Sequence, residues 1–125
     1  MKAGLAAAGL GMMASLTLAA CGEQGPPLSE QAQRGRSTYV ANCTACHAMD
    51  PTGAGALGPD IAGSSRELIE ARVMRAQYPP GYTPKRATVA MVALPHLADR
   101  IDDLYAYLSE VAPERMSQSA SEPQM

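Results

Sequence analysis

Cys43-Thr44-Ala45-Cys46-His47 constrains this chain more than any other segment. Two thiols three residues apart, followed at once by an imidazole, can hold one haem through two thioether bonds and present His47 to its iron. Cys-x-x-Cys-His is the spacing of covalent haem attachment. Such a chain has to fold around the group and bring a second iron ligand from elsewhere. A half zinc site and a redox dithiol are the competing readings. Zinc needs four ligands, and the candidates left are Cys21 and His96. A thioredoxin-like dithiol belongs in a βαβ setting, whereas the Ala, Gln, Arg and Asn residues around this motif favour helix.

The third cysteine has a different fate. Met1-Lys2 is followed from Ala3 to Ala20 by a charge-free run of Ala, Leu, Gly and Met, which reads as an export signal rather than a membrane span because its residues are small. The run ends in Leu18-Ala19-Ala20-Cys21, which resembles a bacterial lipobox, so residues 1–20 are expected to be removed and Cys21 to carry lipid. An ordinary secretory signal is the alternative, and it too leaves the domain outside the cytoplasm. Two or three acyl chains hold a protein at a bilayer without spanning it. The expected location is the periplasmic side of a bacterial membrane. Gly22 stands where an Asp commonly marks retention at the inner membrane, which favours the outer one.

Without residues 1–20, 105 of the 125 residues remain, enough for one small domain plus tails. Nine basic residues then face twelve acidic ones, a balance that argues against nucleic acid as a partner. Trp and Phe are absent and Tyr supplies all five aromatics, so the side chains alone make a thin core. A bound haem fills that gap, and the apoprotein is expected to fold poorly.

Residues 21–28 read as the lipidated cysteine and a tether, 29–112 as the domain, and 113–125, rich in Ser, Gln, Glu and Pro, as a disordered tail. A first helix is expected from about Ser29, its N-cap, to Asn42, with Ala32, Gly35 and Tyr39 on one face. Residues 48–63 should be a loop. Ser64-Ser65-Arg66-Glu67 has the Ser-x-x-Glu form of a capping box and opens a helix to about Ala76, ended by Tyr78-Pro79-Pro80-Gly81. Pro79 to Leu97 shows no periodicity. Asp99 then caps a last helix whose buried stripe is Ile101, Leu104, Tyr105 and Leu108.

The second iron ligand must carry a lone pair in a segment free to wrap the cofactor. Met91 meets both conditions. Met49 is too close to His47, Met74 sits in an expected helix, and Met116 and Met125 are in the tail. His96 is the other residue in the loop suited to iron. A His/Met pair raises the reduction potential and leaves no open position, which suits electron transfer.

With these residues in hand, the chain resembles a class I c-type cytochrome over about residues 29–112. Gly35, Tyr39 and Cys43 match the family's spacing, and Asp103-Leu104-Tyr105-Ala106-Tyr107-Leu108 resembles the segment of the last helix that crosses the first at this Gly. The resemblance implies an all-α fold of three to four helices, with long loops, around one covalent haem c. It also implies that the carbonyl of Pro59, in Gly58-Pro59, accepts a hydrogen bond from His47. In the family the distal Met precedes the last helix, again selecting Met91. The chain departs in having Val92, not Pro, directly after it. Arg72, Arg75, Lys85, Arg86, Tyr78 and Tyr82 are near enough to meet the haem carboxylates, but such residues are more often solvated, so none is assigned.

The implied function is a monomeric, membrane-tethered one-electron carrier between a donor and an acceptor protein, and not an enzyme. A dedicated haem subunit of a dehydrogenase or oxidase is one alternative. An open-site peroxidase or gas sensor, with Met91 unbound, is the other.

Overall fold

Ser29 starts the fold as an N-cap, its hydroxyl accepting from the Ala32 amide at 3.1 Å, and α1 runs Glu30–Asn42. The computed structural model describes residues 26–87 and 90–113. The signal segment, Cys21, most of the tether and the tail after Pro113 lie outside the described residues. Among the described residues the protein is all-helical: α2 spans Arg66–Arg75, a 3-10 helix spans Pro95–Arg100, and α3 spans Ile101–Glu110. None of these helices is long and apolar enough to cross a membrane.

Ala32, Gly35 and Tyr39 form the buried face of α1, as their spacing predicts. Gly35 is where α1 meets α3. A Cβ there would come within 2.8 Å of the Tyr107 Cβ and collide with the Asp103 backbone carbonyl, so only glycine permits this approach. The ends of the pair are tied as well, the Ser29 amide and hydroxyl both donating to the Glu110 carboxylate at 2.9 and 2.7 Å. Asp103, the one buried charged residue described, accepts two bonds from Arg34 at 3.2 Å each. Around this pair Ile69 and Val73 of α2, Leu97 of the 3-10 helix, and Ile101, Leu104 and Leu108 close the core.

Three local expectations are corrected. Ser65, not Ser64, caps α2, its hydroxyl accepting from the Leu68 amide at 3.2 Å, while the Ser64 hydroxyl donates to the Ile61 carbonyl at 2.7 Å. Asp99 does not cap α3, because residues 95–100 already turn as a 3-10 helix that runs directly into it. Tyr105 is 41% exposed, and Tyr107 is buried in its place, where its ring meets Tyr39 with centroids 5.5 Å apart.

The end of α2 falls at about Ala76, as expected. Ala76 takes a left-handed conformation (φ 53°, ψ 28°) and donates its amide to the Arg72 carbonyl at 2.9 Å. A β-carbon in that region costs ~1–2 kcal/mol. Replacement by glycine removes this strain but adds chain entropy to the unfolded state. Ala76→Gly should therefore stabilise the protein by a net ~0.5–1 kcal/mol, read as a higher urea midpoint with unchanged slope.

Candidate functional site

The site is assembled by one turn of chain leaving α1. Cys43 donates its amide to the Tyr39 carbonyl at 2.8 Å, and Cys46 and His47 both donate back to the Cys43 carbonyl, at 3.2 and 2.9 Å. This turn puts Cys43, Cys46 and His47 on the wall of one cavity of about 400 Å3, a size in the ~300–1,000 Å3 range of cofactor pockets. The Tyr39 hydroxyl, donating to the Ala48 carbonyl at 2.6 Å, pins the far side of the turn to the core. Burial raises the pKa of this phenol well above its ordinary value.

A second loop folds back over the turn. The amides of Leu57 and Gly58 both donate to the Cys46 carbonyl, at 3.2 and 2.9 Å, which lays Gly58 on the His47 ring. A Cβ at Gly58 would stand 2.5 Å from both Nδ1 and Cε1 of that ring. The next carbonyl, that of Pro59, lies 2.9 Å from His47 Nδ1. A carbonyl oxygen only accepts, so Nδ1 carries the proton in this bond, and in the neutral ring Nε2 then keeps a free lone pair. The imidazole is therefore held in the tautomer that can ligate a metal through Nε2.

Met91 reaches the same cavity from a segment more than forty residues away in sequence, half-buried and packed against the core. Leu94 anchors that segment, its amide donating to the Val73 carbonyl of α2 at 2.6 Å. His96 is exposed and is not part of the cavity wall. Met49 is 64% exposed, and Met74 packs on the core cluster outside the wall. The structure thus brings Cys43, Cys46, His47, Pro59 and Met91 to one cavity.

The remaining wall is mostly apolar, with Leu57, Ile61, Leu68, Ile69, Val73, Leu104 and Leu108, and also carries polar and charged side chains. The Arg72 guanidinium lies 4.1 Å over the Tyr78 ring, which stacks on Tyr82 at 5.4 Å and 11°. Lys85 and Arg86 line the same cavity, whereas Arg75 is exposed outside it. These wall residues were left unassigned by the sequence. The only hint was two tyrosines four apart across Pro79-Pro80-Gly81, close to several cations.

Neither competing reading of the cysteine pair gains from this geometry. Burial, and after it the neighbouring Cys46, pushes the Cys43 thiol up to about 11, the reverse of the acidic thiol of a redox dithiol. Among the described residues no three His, Cys, Asp or Glu side chains converge on a point where a metal ion could sit. No family model, curated protein or solved structure matches the chain.

Proposed function

We propose that this chain is an exported, lipid-anchored monohaem cytochrome of the class I c type, a one-electron carrier between protein partners. One observation carries the reading. Two cysteines, a histidine fixed in its ligating tautomer and a methionine from a distant segment share a single, mostly apolar cavity. The residues present fit a haem: leucine, isoleucine and valine for the macrocycle, and Arg72, Tyr78 and Tyr82 for its two carboxylates.

When bound, the haem supplies a one-electron couple between ferric and ferrous iron. The chain's own residues do the rest. Cys43 and Cys46 would hold the group through two thioethers, each formed by addition of a thiol S–H across one vinyl group. Nε2 of His47 would ligate the iron, while the Pro59 carbonyl holds the ring's orientation and would raise its donor strength. Met91 would supply the other iron ligand, which would keep oxygen and peroxide from the metal. Leu57 and Val92, 57% and 69% exposed, stand at the cavity's edge and offer a small apolar contact to a transient partner.

Lipid at Cys21 would hold the carrier at the periplasmic face of a membrane, the outer one on the sign of Gly22, and raise the effective concentration of its partners. Optical spectra of the purified full-length protein test the proposal. Expected are a covalently retained haem, a low-spin spectrum, and in the oxidised form the weak long-wavelength band of methionine sulfur on ferric iron. Rapid carbon monoxide binding by the reduced protein would instead select the open-site alternative, and haem lost on acid extraction would remove the attachment reading altogether.

A further inference from the structure

Two links tie the segment that carries Met91 to the loop that carries Pro59. Lys85 Nζ donates to Asp60 Oδ2 at 2.7 Å and to the Asp60 carbonyl at 2.9 Å. Beside it, Arg86 Nη2 donates to the Gly55 carbonyl at 3.1 Å. The Lys85 ammonium holds the Asp60 carboxyl below its ordinary pKa, as expected for an ion pair. The loop that receives these bonds is fixed from the other side by the Cys46 carbonyl. It is therefore a firm support, and the links fall five and six residues before Met91.

We infer that the Lys85–Asp60 and Arg86–Gly55 contacts form a latch that positions Met91 in the cavity. The inference rests on the haem reading above and deepens it. Between Arg86 and the Leu94 anchor the chain has seven residues, with Met91 among them. With the latch cut, the preceding anchor is the Tyr78–Tyr82 stack, and the span grows to eleven. Loop-closure entropy makes the longer span about two-fold less often closed, and the lost ion pair adds a comparable factor. Lys85, Asp60 and Arg86 act through the chain, so they are positioning residues.

The test is exchange of Met91 for imidazole on ferric holoprotein, full chain, followed by loss of the methionine–iron band. One Fe–S bond breaks and one Fe–N bond forms, with no change of oxidation state. Lys85→Ala combined with Arg86→Ala, which cuts both links, should raise imidazole affinity about two- to five-fold, whereas Lys85→Ala or Asp60→Asn alone, with Arg86–Gly55 still closed, should raise it only by the ion-pair factor of about two. The reversed pair, Asp60→Lys with Lys85→Asp, should bring it back toward the wild-type value. Arg66→Ala is the comparison, since it cuts a similarly exposed ion pair (Arg66–Asp102, 2.6 Å) away from this segment, and it should leave imidazole binding unchanged. Equal affinity in wild type and the Lys85→Ala, Arg86→Ala double variant, no recovery in the reversed pair, or an equal rise in Arg66→Ala overturns the latch while the haem reading stands. A wild-type protein with no methionine–iron band overturns the haem–Met91 reading and the latch with it.

Discussion

Gly35→Ala should destabilise the protein by ~2–4 kcal/mol, although on an isolated helix the same change would stabilise by ~1 kcal/mol. The sign reverses because of what the new methyl meets. Its neighbours are the carbonyl carbon of Asp103 at 2.5 Å and the Tyr107 Cβ at 2.8 Å, which are backbone or directly attached to it. No rotamer change relieves such a clash, so α1 and α3 must separate. Separation in turn loosens the Tyr39–Tyr107 contact, the bidentate Arg34–Asp103 pair and the Ser29–Glu110 bonds. A domain of this size has ~5–15 kcal/mol in all, and each kilocalorie is ~4–8 °C in Tm. Circular dichroism melts of the two proteins decide the matter, and a variant as stable as wild type would mean that the helices do not touch at Gly35.

The same crossing explains what could and could not be read from the residues. At ~100° per residue, Tyr105 and Tyr107 flank the Ile101–Leu104–Leu108 stripe on opposite sides, and periodicity alone favours Tyr105. The choice falls to Tyr107 because α1 arrives on that side, through Gly35. The α1 face was legible because Ala32, Gly35 and Tyr39 repeat at helical spacing, and its start was legible because Ser29 is a strong cap. The stop near Ala76 was legible from Tyr78-Pro79-Pro80-Gly81, but its left-handed conformation was not, since nothing about an alanine announces one. The Cys43–His47 turn could be singled out from the sequence, because its residues are consecutive. The Lys85–Asp60 and Arg72–Tyr78–Tyr82 contacts could not, because the first joins loops twenty-five residues apart and the second depends on how residues 77–82 leave α2.

With haem bound as proposed, Gly58→Ala should raise the midpoint potential by several tens of millivolts. The new Cβ would stand 2.5 Å from Nδ1 and Cε1 of His47 and 3.0 Å from Cγ, against the ~3.5–4.0 Å of ordinary contact between carbon atoms. Ring or loop must yield by about an ångström, and either motion stretches the 2.9 Å bond from Nδ1 to the Pro59 carbonyl. That bond makes the imidazole a stronger donor, and a stronger donor favours ferric iron. Weakening it therefore favours the ferrous state, which is why the shift is upward. Partners of ligating histidines are worth ~10–100-fold in metal affinity. If a tenfold loss falls on the ferric form, the shift is ~59 mV for one electron. Gly53→Ala, in the same loop, is the control. Its added Cβ would meet nothing closer than 3.6 Å, so the potential should stay at the wild-type value. Redox titration of the three proteins separates the cases. Equal potentials in all three would show that the Gly58 loop does not bear on the ligand, and a fall in Gly58→Ala would overturn the argument that loosening His47 from Pro59 favours ferrous iron.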